Sequence, residues 1–186
     1  RASAERIVEV LDEESDITNC DNPVYEVKDG SVEFTDVSFS YAKRPDKTVL
    51  DDIDLIIPSG QTVGIIGGTG SSKSSLVQLI PRLYDVTGGC VKVGGIDVRN
   101  YDLQTLRHNV AMVLQKNTLF SGTIKENLRW GNPDATDEEV IQAAKAASAH
   151  SFIMRLSKGY QTELTGDGAN LSQGQRQLLT IARAFL

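Results

Sequence analysis

The stretch that most constrains this chain runs from Gln61 to Leu76. An apolar segment, Val63-Gly64-Ile65-Ile66, gives way to Gly67-Gly68-Thr69-Gly70-Ser71-Ser72 and then to Lys73-Ser74-Ser75-Leu76. This order predicts a buried strand over Val63 to Ile66, a turn whose backbone N–H groups point inward, and a helix opening at Lys73. A helix N-terminus carries unpaired donors and about half a positive charge, so it suits a phosphate chain. Lys73 adds a full charge, and the Ser74 hydroxyl is a hard oxygen ligand for Mg²⁺. The pattern such loops follow is Gly, four residues, Gly, Lys, then Ser or Thr. Gly67, Lys73 and Ser74 satisfy it, whereas Ser72 stands at the second glycine. Taken alone, the stretch reads either as a phosphate site or as an ordinary Gly/Ser turn.

Bulk properties narrow the choice. With 186 residues, 40% apolar and 24% charged, the chain suits one globular domain with a proper core. The net charge of −6 gives no electropositive face for nucleic acid. A phosphate ligand must therefore be held by local geometry. Cys20 and Cys90 lack the spacing of a zinc site or a disulfide framework, which fits a reducing setting. No run of 18 apolar residues appears, and the N-terminus is not laid out as a signal peptide.

Taken in order, Ala4, Ile7, Val8 and Leu11 recur at helical spacing and predict an amphipathic helix over about 3 to 14. Asp16 to Asp29 reads as a linker. Val32, Phe34, Val37 and Phe39 predict a strand with a bulge at Thr35-Asp36, closed by Tyr41. Ala42 to Lys47 is a turn, and Ile53, Leu55 and Ile57 alternate as an antiparallel partner strand. The helix after Ser75 carries Leu76, Leu79, Ile80 and Leu83 on one face and is expected to kink or end at Pro81. Cys90 to Val93 is a third strand, and Asp102 caps a short helix over Leu103 to Arg107. Val110 to Leu114 is expected to be a buried strand ending at Gln115, where α/β sites form. From about 122 to 165 the chain reads as mostly helical. Thr123 with Glu126, Thr136 with Glu139, and Ser172 with Gln175 form capping boxes. Ala143, Ala144, Ala146 and Ala147 mark close helix packing, and Leu178, Ile181, Ala182 and Phe185 line the last helix.

Phe34 to Tyr41, Gly67 to Ser75, Gln115, Thr123 to Leu128 and Leu171 to Gln175 stand in one order. Together they resemble the nucleotide-binding domain of an ABC transporter, of the exporter type, from the linker helix to the last residue. The fold this implies is α/β: a P-loop NTPase core with an antiparallel β subdomain and an inserted α-helical subdomain. Residues 1–30 then form a helical linker from a transmembrane domain, and 31–186 the ATPase domain. Within that domain 31–121 and 176–186 are the core and β part, and 122–175 the helical subdomain.

The resemblance implies ATP and Mg²⁺ as ligands. Tyr41 corresponds to the aromatic that stacks on adenine. Gly67, Gly68, Thr69, Gly70, Ser71, Ser72, Lys73, Ser74 and Ser75 correspond to the Walker A loop, with Lys73 on the β and γ phosphates. Ser74 and Gln115 correspond to the Mg²⁺ ligands. Gln115 supports catalysis without being a catalytic residue. Leu171, Ser172, Gln173, Gly174 and Gln175 correspond to the signature loop, which faces ATP bound by a second nucleotide-binding domain in a head-to-tail homo- or heterodimer. Asp167 corresponds to a loop near the transmembrane domains, whereas His108 and His150 match no functional position. The implied location is the cytoplasmic face of the cell membrane.

Three departures stand out: Ser72 for Gly, Ser75 for the usual Thr, and Gln173 for Gly. The family's Walker B strand, catalytic Glu and switch His would follow residue 186, so residues 1–186 alone are expected not to hydrolyse ATP at a useful rate. An ATP-hydrolysing exporter motor is the leading reading. The alternatives are a regulatory half with a degenerate site and a soluble ABC protein acting on DNA or ribosomes, the latter disfavoured by the net acidity.

Overall fold

Strand β1 (Val32–Phe39) forms where the alternation predicts it and buries Phe34, Val37 and Phe39. It is the hub of an antiparallel sheet in the order β2-β1-β3-β4, with β2 at Leu50–Ile57, β3 at Gly88–Val93 and β4 at Ile96–Asp97. The computed structural model describes residues 6–8, 11–13, 15–42, 47–166 and 168–186. By internal contacts the chain forms two units, residues 1–110 and 111–186.

The expected bulge is present. Register shifts separate Phe34 from Val37 against β2 and Thr35 from Ser38 against β3, and Asp36 takes a left-handed φ of 48°. Gly89 accommodates it: its φ is 71°, and a Cβ there would collide with the carbonyl oxygens of Thr35 and Asp36. Only glycine tolerates both demands.

Helix α1 (Lys73–Gln78) ends three residues before Pro81. The chain leaves it through turn bonds and a left-handed Arg82 (φ 51°). Helix α2 (Leu103–Asn109) is capped by Asp102, whose carboxylate accepts from the Thr105 N–H at 2.9 Å. Leu79, Val98, Tyr101 and Leu106 join the inward face of the sheet to close the first core. The linker is strapped to this unit. Asn19 exchanges hydrogen bonds with Asp102 Oδ1 (2.6 Å) and the Leu103 N–H (2.9 Å), and Val24 bridges to Tyr101.

The second unit is mostly helical, with α3 at Ile124–Arg129, α4 at Asp137–Ala146, α5 at His150–Ile153 and α6 at Gln173–Phe185. A two-stranded ribbon pairs β5 (Gly122–Thr123) with β6 (Glu163–Leu164). All three expected capping boxes form, at Thr123, Thr136 and Ser172. Each is a local signal, satisfied within four residues. Ile124, Leu128, Val140, Ala144, Phe152 and Leu179 are among the buried residues of its core. Of the small and apolar residues expected inside, Ala146 and Phe185 are exposed, whereas Leu179 of α6 is buried.

Two expectations fail. Val63 to Ile66 and Val110 to Leu114 are not strands, and Ile66 is 99% exposed. A strand buried on both faces depends on lateral neighbours that take up its N–H and C=O groups. Among the described residues neither run has such a neighbour. The apolar pattern specifies what these segments can become, but their partners decide whether they do. The helix expected over 3 to 14 lies partly outside the described residues. Within them, 6–8 and 11 are helical, and the Asp12 N–H donates to the Val8 carbonyl at 2.9 Å. Most of the turn over 42 to 47, and Asp167, lie outside the described residues.

Candidate functional site

The loop from Gly67 to Ser72 and the start of α1 build the first half of the site. In α1 the first intrahelical bond runs from the Leu76 N–H to the Ser72 carbonyl at 3.0 Å. The N–H groups of Lys73, Ser74 and Ser75 are thus beyond the reach of an acceptor within the helix. Ser72 is the N-cap yet makes no side-chain capping bond. Its backbone is left-handed, φ 59° and ψ 19°, and Gly70 precedes it at φ 82°. The serine in place of glycine therefore sits in the conformation that costs a residue with a Cβ about 1–2 kcal/mol.

The Lys73 ammonium folds back over its own loop. It donates to the carbonyls of Gly67 and Gly68, both at 2.8 Å, and to Ser71 Oγ at 3.0 Å. Ser71 Oγ donates in turn to the Gly68 carbonyl at 2.9 Å. These neutral acceptors are weak partners for an ammonium compared with phosphate oxygens, so the charge is held where an anion can draw it away. Ser74 is exposed at the second residue of α1. Gly68 and Thr69 are exposed along the same loop.

Tyr41 is 34 residues from Ser75 in sequence but joined to it in space. Its hydroxyl lies 2.9 Å from Ser75 Oγ and donates to Gln78 Oε1 at 3.3 Å. Ser75 is buried, whereas Tyr41 is 51% exposed. The ring therefore stands beside α1 with surface left to cover. Tyr41 packs edge-to-face against Phe39 and Tyr84, with centroids at 4.8 and 5.0 Å. Spacing does not pair Tyr84 with Tyr41, because only the turn after Pro81 brings the two rings together.

The second unit holds the remaining expected residues. Leu171 is buried and anchors the loop, and Ser172 caps α6. Ser172 Oγ accepts from the Gln175 N–H at 3.2 Å, and Gln175 Oε1 accepts from the Ser172 N–H at 2.9 Å. Because Oγ is the acceptor in that box, its own hydrogen stays available to donate. Ser172, Gln173 and Gly174 face solvent. Arg176 pins the loop from behind, donating to the Leu171 carbonyl at 2.7 Å and the Gly168 carbonyl at 3.3 Å. Gln115 is exposed and lines a pocket of about 440 Å³ with Asn117, Thr118, Gly166, Gln173 and Arg176. The structure thus brings Gln115 and Gln173 to one concavity.

The segment after Gln115 is tied to α6. Thr180 Oγ1 donates to Asn117 Oδ1 at 2.9 Å, and Arg183 donates to the Thr118 carbonyl at 3.2 Å and the Asn127 carbonyl at 2.9 Å. Burial depresses the Arg183 pKa below the ordinary guanidinium value. Asn127, 1% exposed, bonds both the N–H and the C=O of Phe120 at 2.8 Å. None of these supports was legible from spacing.

A phosphate loop on an antiparallel-sheet unit, with a capped Leu-Ser-x-Gly-Gln helix in a helical unit, is the architecture of an ABC-type ATPase domain. The family model described as ABC transporter matches residues 50–186. YfiC of Bacillus subtilis (strain 168), an uncharacterized ABC transporter ATP-binding protein, is 45% identical over 186 residues, which is 100% of this chain and 30% of that protein. YgaD of the same organism, named for multidrug export as an ATP-binding/permease protein, is 51% identical over 157 residues, 84% of this chain and 27% of its own. A solved bacterial Atm1-family ABC exporter with ATP bound superposes with a TM-score of 0.89 at 32% identity, over 99% of this chain and 32% of that one. The chain belongs to the ABC transporter family, as an ATP-binding domain of the exporter type. It spans less than a third of the length of these relatives. Among the described residues no helix is long and apolar enough to cross a membrane.

Proposed function

We propose that this chain is the ATP-binding motor domain of an ABC exporter, in which ATP clamps two such domains together and hydrolysis releases them. The observation that carries the reading is the convergence of Tyr41 and the Lys73 loop, joined through the 2.9 Å contact between Tyr41 and Ser75. An aromatic ring beside an anion grip suits the base and the phosphates of a nucleoside triphosphate.

In this mechanism Tyr41 offers its face to the base. Lys73 exchanges the carbonyls of Gly67 and Gly68 for phosphate oxygens, and the N–H groups from Gly68 to Ser75 take up the remaining oxygens. By the family resemblance Ser74 and Gln115 would each ligate Mg²⁺, which would neutralise phosphate charge. Leu171 to Gln175 of one copy face the terminal phosphate held by the other, where the Ser172 hydroxyl and the N–H groups opening α6 donate to it. Residues 1–30 act as the linker to a transmembrane domain and 31–186 as the ATPase domain, at the cytoplasmic face of the membrane. The net charge of −6 argues against a nucleic-acid partner.

One observation favours a second reading. Ser72 is strained where the family carries glycine, as suits a regulatory half that binds ATP at a degenerate site and leaves hydrolysis to its partner.

Calorimetric titration of the intact protein with Mg–ATP tests the main proposal. Lys73→Ala is expected to weaken binding by more than about tenfold, the worth of a charge-assisted phosphate contact. Ser172→Ala is expected to spare binding while reducing ATP-dependent dimerisation. Unchanged affinity in Lys73→Ala would remove the loop from the site.

A further inference from the structure

The hydrogen bonds on Tyr41 hold its tip but not its plane. A tyrosine hydroxyl oxygen lies on the axis about which the ring turns, so the contacts to Ser75 and Gln78 are unaffected by that rotation. What sets the plane is the pair of neighbouring rings. Tyr84 stands at 88° to Tyr41 with centroids 5.0 Å apart, and Phe39 at 76° and 4.8 Å. Phe39 is 2% exposed and fixed in the core, and it also touches Tyr84 at 5.6 Å. Tyr84 is the outer wall of the cluster.

Beside the cluster lies a pocket of about 330 Å³, lined among others by Ile17, Phe39, Ser40, Tyr41, Leu83 and Tyr84. Truncating Tyr84 would enlarge this space and leave the Tyr41 ring room to turn. The backbone carrying Tyr84 is itself braced. Arg82, 6% exposed, pairs with both carboxylate oxygens of Asp85 at 2.7 and 3.1 Å and donates to the Thr18 carbonyl at 3.2 Å. The residues on either side of Leu83-Tyr84 are thus fixed to each other and to the linker.

We propose that Tyr84 is a positioning residue: its ring holds Tyr41 in the plane that receives the base of the nucleotide. The inference rests on the reading of Tyr41 as the base-stacking residue. An aromatic face contributes stacking only when presented parallel to its partner, so a ring free to turn loses part of the contact.

The test compares ATP with inorganic tripolyphosphate, which has no base, on the intact protein. Tyr84→Leu is expected to weaken ATP about three- to tenfold, the range that one aromatic pair supports, and to leave tripolyphosphate unchanged. Tyr84→Phe keeps the ring edge and is expected to restore ATP affinity. Tyr84→Met, which fills space without a ring, gives the same readout where Tyr84→Leu does not fold. If Tyr41→Ala weakens ATP selectively and Tyr84→Leu does not, the positioning role is overturned while the base-stacking reading stands. If Tyr84→Leu weakens both ligands equally, its role is scaffolding and the proposal fails. If Tyr41→Ala leaves the ratio of the two affinities unchanged, base stacking itself falls, and this inference with it.

Discussion

Ser72→Gly tests a residue whose side chain conflicts with its left-handed backbone. Ser72 adopts φ 59° and ψ 19° while its side chain caps nothing, so the substitution relieves strain without removing a hydrogen bond to the helix. A left-handed residue with a Cβ costs about 1–2 kcal/mol. Glycine returns about 0.4–1 kcal/mol of that through the extra freedom of the unfolded chain. The net gain in stability is therefore about 0.5–1 kcal/mol, or about 1–4 °C in Tm for a chain of this size. Strain present at both ends of the binding equilibrium cancels from the affinity, so ATP affinity is expected to stay within about twofold. Urea denaturation followed by nucleotide titration on the same samples reads both quantities. Ser72→Ala, which keeps the Cβ and the strain, serves as the control and is expected to be near neutral. A destabilised Ser72→Gly would refute the assignment of strain. A large gain in ATP affinity would show that the strain arises on binding instead.

Three further outcomes follow from the packing. Gly89→Ala is expected to destabilise the first unit by more than about 2 kcal/mol in chemical denaturation, since the new Cβ meets the carbonyls of the β1 bulge at a left-handed position. Asn127→Leu removes partners from the N–H and C=O of Phe120 and from Arg183, and a loss of about 2–4 kcal/mol is expected by the same assay. The backbone N–H groups of Thr123 and Thr136 hold the carboxyls of Glu126 and Glu139 below the ordinary value of 4.5. Their capping contribution is therefore complete above that value and is lost as pH falls through the depressed one. An acid titration followed by circular dichroism should show a shallower decline below pH 4.5 in the double Gln variant.

What was legible in the sequence was local. The three capping boxes close within four residues, and the β1 bulge announces itself as a slip in the alternation at Thr35-Asp36. Both formed as expected because neither depends on a distant segment. Val63 to Ile66 and Val110 to Leu114 do not form the expected strands because a buried strand is defined by its neighbours, and composition alone does not supply them. Tyr84 is hidden from the sequence for a related reason. Its relation to Tyr41 depends on the left-handed turn at Arg82, which no residue pattern marks. Arg176, Asn127 and Arg183 read as ordinary helix residues, yet they fasten the loops that carry Leu171 to Gln175 and the segment after Gln115. The family resemblance implies roles for residues along the chain, whereas what holds those residues in place depends on contacts between segments distant in sequence.

Photolabelling with 8-azido-ATP, followed by peptide mapping, tests the central claim most directly. The label is expected on the peptide containing Tyr41, suppressed by excess ATP and lost in Lys73→Ala. Label on other peptides, indifferent to Lys73→Ala, would contradict it.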